Sequence, residues 1–197
     1  MPPTLRLATP KDAEQVQAIY APYCHTPISF EAEPPSVEEV RARLVKVLGQ
    51  YPWLLCEDDG EVLGYVYATR HRERAAYGWS VDTTVYVRQG RQRRGVGRAL
   101  YTSLLAVLPL HGYVNAYAGV TLPNSASVGL HEAVGFRPVG TYQQVGFKCG
   151  AWHDVAWYQR PLQPRAADPP PPRRMDEVCH TASWEEALHA GLRLLGD

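Results

Sequence analysis

The hydrophobic positions of this chain alternate between the two-residue period of strands and the 3.6-residue period of helices. Strands are predicted, in chain order, at residues 5–8, 53–57, 61–69, 77–87, 114–120, 139–144 and 154–159. Helices are predicted at residues 10–20, 36–49, 98–111 and 124–135, and a loop is predicted at residues 146–153. Strands that interleave with helices after an initial hairpin predict an α+β or mixed three-layer domain.

Polar residues mark the ends of several of these elements. Ser36 and Glu39 have the spacing of a capping box, and Asn124 precedes the fourth predicted helix as a cap. Asp59 and Gly60 lie between two apolar runs, which is typical of a hairpin turn. The local signals therefore agree with the elements that the periodicity predicts.

The connection between the fourth strand and the third helix combines glycine with arginine. Residues 92–97 read Gln-Arg-Arg-Gly-Val-Gly and come directly before the helix. Because glycine has no Cβ, Gly95 and Gly97 let an anion approach the unpaired N–H groups of the first helical turn. The segment predicts a diphosphate site, and a solvated basic turn is the alternative that it leaves open when taken alone.

Composition narrows the possible functions. The chain has 197 residues, of which 45% are hydrophobic, so it is long enough for one well-filled core and one catalytic domain. Arginines cluster around the glycine turn, but the formal net charge of +0 provides no wider basic field for nucleic acid. We therefore expect a local anion site and no nucleic-acid partner.

The composition changes after residue 161, where proline becomes frequent. We divide the chain into a catalytic domain at 1–162, a proline-rich linker at 163–174 and a helical tail at 175–197. Ser183 opens a capping box in the tail, and one face of the helix that follows is apolar. That face carries Trp184, Leu188, Leu192 and Leu195. We expect the tail to pack on its own domain or on a second subunit.

Cysteine usage and the lack of apolar spans bear on location. The cysteines at positions 24, 56, 149 and 179 have no close paired spacing, so we expect them to be reduced and expect no metal site. No apolar run approaches the length of a membrane span, and residues 1–4 do not begin a signal peptide. A cytoplasmic protein without a membrane partner is expected.

Several separated motifs occur in a fixed order. Gln92, Gly95 and Gly97 match the pattern Q/R-x-x-G-x-G/A. Other distinctive segments are residues 30–31, 51–54, 82–87, 122–124, 130–136 and 146–155. Together they resemble the GNAT N-acetyltransferases, in particular the phosphinothricin N-acetyltransferase branch, over about residues 4–162. The resemblance implies a mixed central β-sheet flanked by helices, in a single domain with a C-terminal extension.

The resemblance also implies a reaction. Acetyl would pass from acetyl-CoA to the primary amine of a small amino-acid-like substrate, of the phosphinothricin, methionine sulfone or methionine sulfoximine type, by direct attack in a ternary complex. An ammonium must lose a proton before it attacks, so a base is needed. Asp82 is the leading candidate, directly or through water, and it stands where the family has glutamate. His131 is expected to be the general acid, or the base if Asp82 does not reach.

The remaining site residues also follow from the resemblance. The expected cofactor-binding residues are Val85, Tyr86, Val87, Gln92, Arg93, Arg94, Gly95, Val96, Gly97, Arg98, Asn124 and Ser127. The expected substrate-binding residues are Phe30, Glu31, Arg72, Arg74, Tyr77, Lys148, Trp152 and His153. Among these, Arg74 is the first choice for the acidic end of the substrate, since the guanidinium fork suits oxyanions.

Two alternative functions remain open: a second enzyme activity and a non-catalytic role. A homodimer is expected from the resemblance. Acetylation of proteins or peptides would need an open groove in place of a pocket. A non-catalytic acyl-CoA-binding sensor would keep the glycine turn without a base. A serine hydrolase is excluded because no G-x-S-x-G elbow surrounds a serine.

Overall fold

The computed structural model describes residues 3–195, which form one mixed sheet covered by helices. The strands are β1 Thr4–Leu7, β2 Trp53–Asp58, β3 Glu61–Arg70, β4 Ser80–Val87, β5 Asn115–Leu122, β6 Arg137–Lys148 and β7 Ala151–Pro161. Their order in the sheet is β1-β2-β3-β4-β5-β7-β6, and β4 and β5 are the parallel neighbours. The prediction of an α+β fold with a mixed central sheet is confirmed.

The helices cover both faces of the sheet. They are α1 Ala13–Cys24, α2 Val37–Leu48, α3 Val96–Val107, α4 Ser125–Ala133, α5 Met175–Val178 and α6 Ala182–His189. Successive residues of β2 divide between two cores: Trp53 and Leu55 pack with α1 and α2, whereas Leu54 packs with α3. Alternate side chains of a strand point to opposite faces, so α3 lies across the sheet from α1 and α2.

The parallel strands β4 and β5 pair over only part of their length. Each has eight residues, but their pairing covers Ser80 with Asn115, Val81 with Ala116 and Asp82 with Tyr117. At the next position the Thr83 hydroxyl donates to the Tyr117 carbonyl at 3.0 Å, in place of backbone pairing. The remaining lengths of the two strands separate, and a gap opens in the middle of the sheet.

The predicted loop at residues 146–153 is wrong. Most of that segment continues the pairing of β6 with β7, from Gly146 opposite His153 to Lys148 opposite Ala151. Only Cys149 and Gly150 form the turn, with φ angles of 51° and 78°. This left-handed turn joins the strands in two residues. The strands of the hairpin are therefore longer than predicted, because the glycines of the segment had indicated a loop.

The tail packs on the domain that precedes it. Helix α6 begins two residues earlier than Ser183 predicts, because the Thr181 hydroxyl accepts from the Trp184 N–H and caps the helix. Trp184 and Leu188 are buried in the core that contains α3. The ends of the sequence, residues 1–2 and 196–197, lie outside the described residues.

Two small residues of α3 make close packing of the tail possible. The Gly191 N–H donates to the Ser103 hydroxyl at 3.0 Å, and Gly191 lies directly against the Ala99 backbone. One turn earlier along α3, the Leu194 carbonyl lies against Gly95. The tail therefore contacts the same glycine turn that the sequence marks as an anion site.

No helix within residues 3–195 is long and apolar enough to cross a membrane.

Candidate active site

A cavity of about 600 Å³ extends from the glycine turn to the unpaired part of β4. The strand and the turn contribute Val85, Tyr86, Val87, Arg91, Gln92, Arg93, Gly95, Val96, Gly97 and Arg98. Helix α4 and its cap contribute Asn124, Ser125, Ala126, Ser127 and Leu130, and the segment around the end of α1 contributes Tyr23 and Ile28. One end of the cavity is cationic, and the other lies beside the gap in the sheet.

The backbone at the cationic end has the form of an anion cradle. Gly95 is the N-cap of α3 and has φ 77° and ψ −15°, a left-handed conformation that favours glycine. Arg93 also has a positive φ, of 62°. The free N–H groups at the start of α3, which follow this turn, add the positive end of the helix dipole. An added Cβ at Gly97 would lie 3.1 Å from the Leu130 side chain, so glycine allows close packing there. The turn as a whole suits a diphosphate.

The cavity contains all but one of the predicted cofactor-binding residues. The exception is Arg94, which is exposed and is not among the lining residues, so the cationic side chains at this end are Arg91, Arg93 and Arg98. Arg91 is held by an ion pair with Glu61 at 2.6 Å.

Two lining residues that the sequence did not indicate as cofactor contacts come from α1 and the loop after it. The Tyr23 hydroxyl donates to the Val87 carbonyl at 2.5 Å and fixes the wall opposite α4. Ile28 lines the cavity from the loop. Because the loop has no periodic pattern, the sequence alone does not predict which of its residues face the cavity.

Asp82 stands where β4 and β5 begin to separate. Its side chain faces away from α3, because the neighbouring Thr83 hydroxyl lies 3.3 Å from the Tyr101 hydroxyl of α3 and strand side chains alternate. The Asp82 Oδ1 lies 2.6 Å from His71 Nδ1, and the His71 ring stacks on Tyr117 with centroids 4.3 Å apart. His71 is not among the site residues that the sequence analysis indicates.

Burial raises the pKa of the Asp82 carboxyl above its usual value, while the hydrogen bond and charge of His71 and the charge of Arg72 act in the opposite direction. The Asp82 side chain is 26% exposed and the His71 side chain 12%. This pair of titratable groups lies beside a second cleft of about 240 Å³. The cleft is lined by His71, Arg72, Tyr117, Val139, Gly140, Tyr142 and Trp157.

The prediction that His131 is the general acid does not fit its position. His131 is 4% exposed and is not among the residues that line either cavity. Its Nδ1 lies 2.7 Å from the Ser127 carbonyl, so that nitrogen carries the proton. Its Nε2 lies 2.8 Å from the Tyr101 hydroxyl, which therefore donates to it. Burial lowers the pKa of His131. Both of its ring nitrogens form hydrogen bonds within the protein.

Of the predicted substrate-binding residues, Arg72 and Tyr77 lie near Asp82. The Arg72 guanidinium lies 5.6 Å from the centre of the Trp157 ring at the second cleft. The Tyr77 ring lies 5.8 Å from the His71 ring. Arg74, the first choice from the sequence, lines neither cavity. The cation over the cleft is therefore Arg72.

The other predicted substrate residues join the loop after α1 to the β6–β7 hairpin. The Lys148 ammonium donates to the carbonyls of Cys24, Ser29 and Glu31, which occupies all three of its hydrogens. The Phe30 ring packs against Gly146, and its centroid lies 6.4 Å from that of His153. This cluster positions the loop that carries Ile28.

Two further predicted substrate residues have other partners in the structure. The Glu31 carboxylate forms an ion pair with Arg43 of α2 at 2.5 Å, so it supports the loop. Trp152 is 61% exposed and its ring lies 5.4 Å from that of Phe147, on the outer face of the hairpin.

Within residues 3–195 no group of three or more metal-binding side chains is gathered at one place.

Comparison with known proteins gives a consistent result. The model of the Acetyltransferase (GNAT) domain family matches residues 5–157. A phosphinothricin N-acetyltransferase of Streptomyces viridochromogenes is 40% identical over 173 residues, which cover 85% of this chain and 94% of that protein. An L-methionine sulfoximine/L-methionine sulfone acetyltransferase of Salmonella typhimurium is 34% identical over 117 residues, 59% of this chain and 68% of that protein.

A solved structure extends the comparison to the whole fold. The crystal structure of a GNAT superfamily phosphinothricin acetyltransferase from Sinorhizobium meliloti in complex with AcCoA has a TM-score of 0.81 and 33% identity, and it covers 86% of this chain and 94% of that one. The chain belongs to the GNAT acetyltransferase family. The predictions of an acetyl-CoA-dependent N-acetyltransferase and of its cosubstrate are confirmed.

Proposed function

We propose that this enzyme acetylates the primary amine of a small amino-acid-like acceptor that carries an acidic end, such as phosphinothricin, methionine sulfone or methionine sulfoximine. The observation that carries this proposal is that two clefts adjoin β4 and β5 where these strands separate. One cleft begins at the glycine turn, and the other adjoins Asp82 and Arg72. The names of the relatives indicate the same class of acceptor.

The residues of the first cleft suit acetyl-CoA. The backbone of Gly95 to Gly97, with Arg93 and Arg98, would hold the diphosphate. Asn124 caps α4 by accepting from the Ser127 N–H at 3.1 Å, so its side chain shapes the wall beside the pantetheine arm. Backbone N–H groups of β4 near Val85, which have no partner strand on the side of the gap, would stabilise the developing oxyanion.

The second cleft suits an acidic amine. An acceptor of this type brings an ammonium, which must be deprotonated, and an anionic end, which needs a fixed cation. Arg72 supplies the cation over Trp157, and Asp82 lies about 10 Å along the strand from Val85, at roughly 3.3 Å per residue. The acceptor amine would then meet the acetyl group at the gap, and attack would be direct within a ternary complex.

We also propose that the enzyme is a cytoplasmic homodimer. The β6–β7 hairpin exposes large apolar side chains outside the second cleft, which are Val145, Phe147 and Trp152. An apolar patch of this kind supports an interface with a second copy. All four cysteines are unpaired, which supports a reducing compartment. We retain 1–162 as the catalytic domain, 163–174 as the linker and 175–197 as the tail.

Acetylation of a panel of amines tests the proposal. Thiol release from acetyl-CoA is measured with the three acceptors named above, with the same amino acids amidated at the acidic end, and with short peptides. The proposal predicts turnover with the free acids and at least tenfold lower kcat/KM for the amides. Turnover with peptides but not with the free amino-acid analogues would contradict it.

A further inference from the structure

We propose that His71, and not Asp82, accepts the proton from the substrate ammonium, and that Asp82 is the positioning residue that orients His71. This inference rests on the function proposed above and names the base for that reaction. It starts from the bond between His71 Nδ1 and Asp82 Oδ1, which at 2.6 Å is short. The carboxylate is therefore already engaged by a side chain of the same site.

The geometry of the pair fixes which nitrogen is free. A carboxylate only accepts hydrogen bonds, so His71 Nδ1 carries the hydrogen in this bond and Nε2 carries a lone pair. No hydrogen bond among the described residues involves His71 Nε2. The ring plane is held by Tyr117, which stacks on it with an interplanar angle of 14°. The Trp157 ring makes an edge contact with the His71 ring, with the ring centroids 6.3 Å apart.

The position of the pair is that of a base for this reaction. Asp82 and Tyr117 form the last backbone pair before β4 and β5 separate, so the His71 ring lies at the apex of the gap. His71 also lines the second cleft beside Arg72, whereas Asp82 is not among its lining residues. An amine bound there with its acidic end at Arg72 meets the imidazole before it meets the carboxylate.

The charged and titratable groups around His71 come from every element packed against it. Asp82 faces it from β4, Tyr117 from β5 and Tyr77 from the turn before β4. Arg72 adjoins it in the chain and donates to the His71 carbonyl at 3.0 Å. Asp82 is the one anion in this set.

The proton balance is as follows. The substrate R–NH₃⁺ gives one proton to His71 Nε2, which passes it to solvent after the turnover. The free amine nitrogen then forms a bond to the acetyl carbon of acetyl-CoA while the carbon–sulfur bond breaks. The second nitrogen proton goes to the departing sulfur. The products are the N-acetyl compound, CoA as the thiol and one released proton, and no oxidant or reductant is needed.

The test is the pH profile of kcat/KM for methionine sulfoximine in wild type, His71→Gln and Asp82→Asn. Glutamine can still donate to Asp82 but cannot accept a proton. We expect kcat/KM to fall about 10²-fold or more in His71→Gln, in the range of a lost general base, and the limb of the wild-type profile that reports the base to disappear. Asp82→Asn should lose less activity and keep that limb. Acetyl-CoA affinity should stay within twofold in both variants.

His189→Gln, an exposed histidine of α6, is the matched control and should keep the wild-type profile. A His71→Gln enzyme that keeps the limb of the wild-type profile that reports the base, whatever its kcat, would overturn the inference. If the glutamine variant does not fold, His71→Ala with added imidazole decides: recovered turnover supports a base at this position, and no recovery overturns it. Absence of amine-dependent turnover in wild type would instead refute the proposed function itself.

Discussion

The contact between the tail and α3 gives a sharp prediction about stability. Gly191 has φ −84°, so alanine fits its backbone conformation, but a Cβ there would overlap the Ala99 carbonyl of α3. A side-chain rotation cannot relieve the overlap, because the backbone fixes the position of the added Cβ and the Ala99 atoms that it meets are backbone atoms. Gly191→Ala should therefore push the tail away from α3 without strain in its own dihedral angles.

Two estimates bound the cost. If the tail shifts slightly and stays docked, overpacking costs about 1–3 kcal/mol of unfolding free energy. If the tail is released, Trp184 and Leu188 lose their burial, at roughly 1.5–3 kcal/mol each. For a domain of this size each kcal/mol corresponds to about 2–4 °C, so we expect the melting temperature to fall by at least about 2 °C.

Thermal melts and urea titrations followed by tryptophan fluorescence measure the effect. The matched control is Gly129→Ala in α4, where an added Cβ meets no atom within 4 Å. That change should be neutral or stabilise the helix by about 0.5–1 kcal/mol. Gly191→Ala with a melting temperature equal to that of wild type would refute the packing of the tail described above.

Three further predictions concern the site and the buried histidines. Arg93→Ala should weaken acetyl-CoA binding about five- to tenfold through loss of a charge-assisted hydrogen bond, whereas Arg94→Ala should change the calorimetric Kd less than twofold. Arg72→Gln should raise KM for an acidic acceptor roughly tenfold or more and leave KM for its amide unchanged in steady-state kinetics. Burial lowers the pKa of His111 and His131, so the unfolded chain binds protons first as pH falls below the ordinary value of 6.5. Stability is then intact above that pH and declines below it, by at most about 1.4 kcal/mol per pH unit for each histidine, and a melting temperature that stays constant from pH 7 to pH 5 would contradict this.

The cofactor turn was predictable because its signal is local. A strand, two glycines and a helix start occur within a few residues, and the conformation of Gly95 follows from its lack of a Cβ. The individual contribution of each arginine was not predictable, since the direction of an exposed side chain depends on the packing around it. Arg94 therefore belongs to the motif but does not line the cavity.

The acceptor side was harder to predict because it depends on contacts between distant elements. The pairing of Thr69 with Asp82 places His71, two residues after Thr69, on the same face as Asp82. That register is the signal that would have found it. His131 shows the opposite case: its motif indicated chemistry, but the burial of its ring against Tyr101 is invisible in the sequence.

The central claim is that the cleft at the glycine turn and the cleft at Asp82 act as one acetyltransferase site for a small acidic amine. A single assay tests it most directly: purified protein, acetyl-CoA and phosphinothricin or methionine sulfoximine, with released CoA and N-acetyl product quantified together. We predict amine-dependent release with one N-acetyl product for each CoA. Saturable acetyl-CoA binding with no amine-dependent release for any of these acceptors would contradict the account.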